Sequence, residues 1–354
     1  MKAIRLLIIC FLLCVFTPLA SSRAGAQEPK KPDDPTATPV DTTVTPTDAE
    51  GFKKRGQAFR LKGDFERAKA DFDESIRLNP KDAESYNERA GMYMASENYE
   101  KALADCDTAI SLDPKYADAY ALRAFINATI RHSDAALKDC DMVIQLDPKN
   151  EEAYVMRGMI YMSEHDAKNA LESFDELLSV NPKSAKGLMG RAMMLMMDEK
   201  YEPALKDTNA LLEVDPKNAN GHEIRGYLLE KKGDYPGALK DLNEAVEDDA
   251  KNPEYLGLLA WTLSTLPEAK YRDGARALKL AKQACDMTEW KEGKSLTAMA
   301  AAEAETGDFK DAVKHQKAAI EARQDDSQSM KEGLQKELHL YESGKPYHEE
   351  KSKE

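Results

Sequence analysis

The chain repeats itself every 34 residues over most of its length, with Ala49 as the first place of the first unit. The eighth place of six successive units holds a small residue: Gly56, Ala90, Ala124, Gly158, Ala192 and Gly226. The twentieth place holds alanine: Ala68, Ala102, Ala136, Ala170, Ala204 and Ala238. Because these columns stay in register, the sequence predicts a repeat architecture in which each unit packs on its neighbours.

Each unit has the pattern of two short amphipathic helices joined by a tight turn. The small residues let the two helices approach closely, and aromatic residues at the fourth place, such as Tyr120 and Tyr154, fill the space around them. A proline near the end of the unit lacks an N–H and ends the second helix. It recurs at Pro80, Pro114, Pro148, Pro182 and Pro216.

This combination of period, small residues, aromatic residues and closing proline resembles the tetratricopeptide repeat family over residues 48–322. The resemblance implies an all-α fold, a right-handed solenoid of about eight helix-turn-helix hairpins followed by a carboxyl-terminal capping helix. It implies little about function, since one fold carries many functions.

The pattern predicts several segments along the chain. Residues 48–252 hold six regular units, and residues 253–322 hold two divergent ones, the first lengthened in its turn between Leu263 and Ala277. Residues 323–343 are predicted to form the capping helix, because Met330, Leu334, Leu338 and Tyr341 share one face. Residues 344–354 form a charged tail that we expect to fray.

The amino-terminal residues predict export. Lys2 and Arg5 precede an apolar run, and residues 24–26 read Ala-Gly-Ala, so residues 1–26 are interpreted as a signal peptide. An uncleaved membrane anchor is the alternative, although the run is shorter than the roughly 20 residues of a spanning helix. Residues 27–47, rich in proline and threonine, are predicted to be a disordered linker. The expected location is the bacterial periplasm or the medium, with no membrane span after cleavage.

Composition excludes several classes of function. The formal net charge is −14, and losing the three cations of the signal peptide would make the mature chain near −17. An acidic chain without a basic patch argues against nucleic-acid binding and favours a neutral or basic partner. The six histidines share no metal-ligand spacing, and no glycine-rich phosphate loop occurs. We therefore expect no metal, no cofactor and no enzymatic activity.

Arginine recurs at the seventh place and aspartate at the twenty-third, and these columns predict structural ion pairs between the helices. The predicted pairs are Arg55 with Asp71, Arg89 with Asp105, Arg123 with Asp139, Arg191 with Asp207, and Arg225 with Asp241. Unit four departs from the pattern, because Ser173 stands opposite Arg157. The alternative interpretation is a ladder of arginines for an anionic ligand.

Some tetratricopeptide domains clamp the acidic tails of chaperones with lysine, asparagine and arginine side chains. Lys53 matches the first place of that clamp, but the other places hold Gln57, Glu88, Asp118 and Leu122. Glu88 and Asp118 would repel a carboxylate, so such acidic chaperone tails are not expected as partners.

In the family that the chain resembles, the inner face is lined by the second, fifth, ninth, twelfth and thirteenth places of each first helix. From the third unit to the seventh these places predict an apolar groove for a protein or peptide, formed by Phe125, Met159, Met162, Met189, Met193, Met196, Met197, Tyr227 and Trp261. Alternatively, the methionines pack between repeats. The leading hypothesis is an exported, non-enzymatic scaffold that binds through its concave groove. The alternative is an accessory or assembly subunit of an envelope enzyme complex that uses the solenoid edges.

Overall fold

The structure is a computed structural model, and it describes residues 42–324 and 326–351. Within these ranges the chain forms seventeen α-helices and no β-strand. The predicted signal peptide and residues 27–41 of the predicted linker lie outside the described residues. Residues 42–47 lie beside the first helix, where Arg55 Nη1 donates to the Val44 carbonyl at 2.9 Å.

The helices follow one another as first and second helices of successive hairpins. In chain order they are α1 Ala49–Leu61, α2 Phe65–Leu78, α3 Ala83–Ala95, α4 Tyr99–Leu112, α5 Ala117–Thr129, α6 Ser133–Leu146, α7 Glu151–Ser163, α8 Ala167–Val180, α9 Ala185–Met197, α10 Tyr201–Val214, α11 Ala219–Lys231, α12 Tyr235–Asp248, α13 Pro253–Thr265, α14 Gly274–Met287, α15 Gly293–Glu305, α16 Phe309–Ala322 and α17 Gln328–Glu342. The prediction of an all-α chain built of successive helix-turn-helix hairpins is therefore confirmed.

Backbone contacts divide the chain into two compact units, and the boundary falls inside α9. Of the described residues, 42–190 belong to the amino-terminal unit and 191–351 to the carboxyl-terminal unit. In both units first helices pack against the second helix of their own hairpin, as α1 does on α2 and α5 on α6 in one unit, and α11 on α12 and α15 on α16 in the other. This is the packing that the 34-residue period predicts.

The two eighth-place glycines of the amino-terminal unit occupy places where a side chain would collide with an aromatic ring. A Cβ on Gly56 would lie 2.8 Å from the buried ring of Phe72, and one on Gly158 would lie 2.8 Å from Phe174. Both distances are shorter than van der Waals contact. The eighth-place glycines are therefore required because a buried ring of the second helix packs directly on the first.

The turn inside each regular hairpin uses one residue in the left-handed region. Gly63 and Gly233, each followed by an aspartate, adopt φ values of 76° and 79°. The corresponding residues of other units are not glycine, and they are Glu97, Arg131, His165 and Glu199. The next residue caps the second helix where it is acidic, as at Asp64 and Asp166.

The carboxyl-terminal unit holds the lengthened turn. Between α13 and α14 the chain forms a short 3₁₀ turn, Ala269–Tyr271, in the segment where the sequence predicts the extra residues. Arg272 fixes this loop by donating to the Leu266 carbonyl at 2.8 Å and the Pro267 carbonyl at 3.1 Å. The helix α17 packs on α16 and buries Met330, Leu334, Leu338 and Tyr341.

The expectation that the tail frays is wrong for residues 345–351. Gly344 adopts a φ of 72° after α17, and the Lys345 N–H donates to the Leu340 carbonyl at 3.0 Å. This cap reverses the chain, and the segment that follows packs on the inner face of its own unit. No helix in the described part of the chain is long and apolar enough to cross a membrane.

Candidate functional site

The predicted arginine–aspartate pairs are all formed in the structure. Each arginine donates from Nε and Nη2 to the two oxygens of the aspartate 16 residues later, at 2.7–2.8 Å. The five aspartates are only 2–7% exposed. These are paired, nearly planar contacts of two hydrogen bonds each, and they join the two helices of a hairpin.

A second set of acceptors was missed by the sequence analysis. In the amino-terminal unit Arg89 Nη1 donates to Asp73 at 2.8 Å and Arg123 Nη1 donates to Asp107 at 2.6 Å, both on the preceding hairpin. Arg157 pairs with Asp141 at 3.0 Å in the same way. The signal was present, because an aspartate recurs at the twenty-fifth place. These guanidinium groups are satisfied by carboxylates, which disfavours a ladder for an anionic ligand.

The inner face of the amino-terminal unit begins with a lysine enclosed by acids. Lys53 Nζ lies 2.7 Å from Glu84, 3.1 Å from Glu50 and 3.3 Å from Asp82. Although burial opposes the charge, the hydrogen bonds that Lys53 donates to Glu84 and Glu50 raise the pKa of Lys53. Because three carboxylates of the protein already contact Lys53, this lysine is poorly suited to bind the carboxylate of a ligand.

Carboxylates outnumber cations in the next part of this face. Gln57 Nε2 donates at 3.0 Å to both Glu84 and Glu88, and Arg60 lies 3.0 Å from Glu88. Asp118 has no cationic partner among the described residues. Burial, together with the charges of Glu88 and Glu84, raises the pKa of Asp118 to about 6. This surface therefore carries negative charge that the described residues do not fully compensate.

The residues of the predicted apolar groove differ in accessibility. Five of the methionines are buried, at 0–9% exposure, and they are Met159, Met162, Met189, Met193 and Met196. Met197 is 36% exposed, and Phe125, Tyr227 and Trp261 are half-buried. The accessible part of the groove is therefore narrower than the sequence predicts. That the set binds a ligand stays a prediction, and the half-buried and exposed members are the ones that a ligand meets first.

The inner face of the carboxyl-terminal unit is in contact with the tail. The ring of Tyr347 packs on Trp261 with 5.7 Å between centroids, and the Glu349 N–H donates to the Thr265 carbonyl at 2.7 Å. His348 Nε2 lies 2.7 Å from a carboxylate oxygen of Glu305. The repeat pattern does not predict this contact, because the tail lies outside the repeats.

Charged groups surround the tail. Lys231 Nζ lies 3.5 Å from Glu349 and 3.2 Å from Glu230. Burial and the nearby charge of Glu349 raise the pKa of Glu230 to about 7. Elsewhere on this face burial, with the charge of Glu254, raises the pKa of Glu223 to about 8. Both glutamates occupy inner-face places, Glu230 the twelfth and Glu223 the fifth.

The described residues hold no group of three or more histidine, cysteine or acidic side chains that could bind a metal ion. The three cysteines among the described residues, Cys106, Cys140 and Cys285, are unpaired and buried. Burial raises the pKa of each thiol to about 12, so these thiols are poor nucleophiles at neutral pH.

A stack of helical hairpins with buried ion-pair columns defines a helical repeat protein, and comparison with known families gives the particular one. A family model described as tetratricopeptide repeat matches residues 53–117 and 198–253, and a second tetratricopeptide repeat model matches residues 151–184. The chain belongs to the tetratricopeptide repeat family. The curated protein sequences gave no significant match.

Two solved structures show the same fold. A tetratricopeptide repeat protein from Parabacteroides merdae is 21% identical over 72% of this chain and 98% of its own, with a TM-score of 0.53. The pilF protein of Pseudomonas aeruginosa is 16% identical over 60% of this chain and 96% of its own, with a TM-score of 0.52. At these identities the likeness concerns the fold alone.

Proposed function

We propose that the protein is a non-enzymatic scaffold whose inner face binds a neutral or basic segment of another protein. The observation that carries the proposal is the inner face of the amino-terminal unit. There Leu61, 80% exposed, and half-buried Phe125 occupy inner-face places on the same unit as the carboxylates of Glu84, Glu88 and Asp118. Apolar side chains beside excess negative charge suit an amphipathic segment with apolar anchors and basic flanks.

The experiment captures partners from an envelope extract with the mature protein, and it compares two classes of variant by quantitative mass spectrometry. Leu61→Glu and Phe125→Glu place a charge on the inner face. Leu112→Glu is the matched control, because Leu112 is a 38% exposed apolar residue at the end of the second helix α4. We expect each inner-face variant to capture at least tenfold less of the basic partner than the unchanged protein does. Leu112→Glu is expected to capture the same amount as the unchanged protein. Circular dichroism checks that each variant stays folded.

The second candidate is an accessory subunit that binds through its edges. It is favoured by a column of exposed apolar residues at the thirtieth place, Leu78, Leu112, Val180 and Val214, which are 38–43% exposed. If Leu112→Glu loses the partner and the inner-face variants keep it, the edge is the binding site. If every variant keeps the partner, neither surface binds it and both candidates are wrong.

Export is part of the proposal and rests on the sequence of residues 1–26. Amino-terminal sequencing of protein purified from the producing cells is expected to begin near Gln27. A retained anchor would give protein in the membrane fraction with Met1 or its successor at the terminus. Intact protein in the cytoplasm would contradict export altogether.

A further inference from the structure

The tail of the chain is seated on the inner face of the carboxyl-terminal unit in the manner of a bound peptide. Its backbone pairs with α13 through the Glu349 N–H and the Thr265 carbonyl, at 2.7 Å. The aromatic ring of Tyr347 and the carboxylate of Glu349 then contact residues at inner-face places. A backbone hydrogen bond with side-chain contacts on either side is how an extended segment is recognised.

The aromatic contact supplies the apolar part of this recognition. Tyr347 lies between the ring of Trp261 and a cluster that includes Ala304, Phe309 and Tyr341. Burial raises the pKa of Tyr347 to about 12. An aromatic pair in this tilted geometry contributes beyond the area that it buries. The ring of Tyr347 is therefore the anchor of the segment.

The polar contacts fix its register. The Glu349 carboxylate lies 3.5 Å from Lys231 Nζ and accepts a long hydrogen bond, 3.4 Å, from the indole nitrogen of Trp261. His348 lies beside Glu305, which Arg272 also binds at 2.8 Å. Trp261 thus contacts both the ring of Tyr347 and the carboxylate of Glu349, which stands two positions later.

The tail does not fill its site. A cavity of about 240 Å³ remains beside Glu349, lined by Tyr201, Glu230, Lys231, Tyr235, Pro267, Glu349 and Glu350. Glu349 itself is 24% exposed on its side chain. A segment that carries the same two contacts and a further side chain in this cavity would bury more surface than the tail does and would displace it.

We propose that residues 346–351 are an intramolecular ligand that closes a peptide site on the carboxyl-terminal unit, and that the partner of this site presents an extended segment with an aromatic residue and a carboxylate two positions after it. The proposal deepens the proposed function and rests on it, because it assumes that inner faces of this chain bind protein segments. The ligand proposed for the carboxyl-terminal unit therefore carries a carboxylate, whereas the ligand proposed for the acidic face of the amino-terminal unit is neutral or basic.

The test uses the tail itself as the probe. A fluorescein-labelled peptide with the sequence of residues 345–354 is titrated, by fluorescence anisotropy, into the mature full-length protein and into a protein that ends at Lys345. We expect the shortened protein to bind the peptide at least tenfold more tightly, because its site is open. Peptide variants Tyr347→Ala and Glu349→Gln, and the protein variant Trp261→Ala, are each expected to weaken binding at least tenfold.

A second measurement remains valid if the shortened protein is unstable. The chain has two tryptophans, so Trp290→Phe leaves Trp261 as the reporter. In that background Glu349→Gln in the full-length chain is expected to change the Trp261 emission and to raise the affinity for the peptide. Equal peptide binding by the closed and open proteins, with unchanged Trp261 emission, would overturn the proposal.

The result is separable from the proposed function. Leu61→Glu and Phe125→Glu lie in the other unit and are expected to leave peptide binding unchanged. The envelope capture could fail while the peptide binds only the shortened protein. The proposal for the tail would then be supported, and the proposal that the amino-terminal face binds a basic partner would be wrong. If capture succeeds and the peptide never binds, the tail proposal alone is wrong.

Discussion

The two units of the molecule share one scaffold but differ in what covers their inner faces. Both carry the same ion-pair column, with Arg123 donating to buried Asp139 in one unit and Arg225 donating to buried Asp241 in the other, at 2.7–2.8 Å. Within the described residues, the carboxyl-terminal unit alone has a terminal segment of the chain on its inner face. The comparison indicates that the recurring residues determine how the hairpins pack, whereas the residues at the inner-face places can differ between units.

The same contrast appears in charge. On the amino-terminal unit, burial and neighbouring carboxylates raise the pKa of Glu88 and Asp118. On the carboxyl-terminal unit, Glu305 lies beside Arg272 and His348, and the Glu349 of the tail lies beside Lys231. Glu223 and Glu230 on the carboxyl-terminal face also have raised pKa values, so the faces differ mainly because the described tail supplies charged contacts to one of them.

The largest predicted effect tests whether the shared scaffold is equally important in both units. Arg123→Ala leaves the carboxylate of Asp139, 4% exposed, buried without its partner, and we expect a loss of about 2–3 kcal/mol in the free energy of unfolding. Arg225→Ala is expected to cost less, about 1–2 kcal/mol, because His222 Nδ1 remains 3.3 Å from Asp241. Urea denaturation followed by circular dichroism measures both.

Unit four supplies the matched control for this prediction. Arg157 faces Ser173 instead of an aspartate, and its carboxylate partners Asp141 and Glu176 are exposed. Arg157→Ala therefore orphans no buried charge and is expected to cost about 1 kcal/mol or less. Replacing Arg123 and Asp139 together by apolar residues should cost less than the two single changes summed. Equal losses at Arg123 and Arg157, or additive changes, would show that the buried pair is not what stabilises the hairpin.

The fold is predictable from the sequence because the same residue types recur at a spacing of 34 residues. The turn at Gly63, the column of Arg123 with Asp139 and the irregular segment before α14 all follow from local rules applied in register. The twenty-fifth-place aspartates could have been found in the same way, since Asp73 and Asp107 are 34 residues apart. Periodic features are predictable because each unit repeats the same physical requirement.

The candidate site is less predictable, for two physical reasons. Helical periodicity assigns Met193 to an inner-face place but does not tell how much of the side chain neighbouring residues cover, and in the structure it is 1% exposed. The contact of Trp261 with Tyr347 joins residues far apart in the sequence and belongs to no repeat. Such a contact depends on where the reversal at Gly344 directs the tail, which no residue pattern encodes.

The smaller predicted effect tests the acidic face of the amino-terminal unit. Burial and the charges of Glu88 and Glu84 raise the pKa of Asp118 to about 6, so the carboxylate destabilises the fold wherever it is ionised. We expect Asp118→Asn to raise the free energy of unfolding by about 1 kcal/mol at pH 7.5. The raised pKa alone would give about 3 kcal/mol. Solvent screening of this partly exposed group and the loss of a favourable charge in the first turn of α5 reduce that value.

The pH dependence gives this prediction its sign. A carboxyl whose pKa is higher in the folded state takes up a proton on folding, so its cost grows as the pH rises from about 3.8 and is complete above about 6. The gain from Asp118→Asn should therefore shrink when urea denaturation is repeated at pH 4.5. Glu172→Gln removes an exposed carboxylate in the middle of α8 and is the control, with an expected change within about 0.5 kcal/mol. A gain that is the same at both pH values would mean that the charge of Asp118 is not what the substitution removes. The excess negative charge assigned to this face would then not distinguish it from the inner face of the other unit.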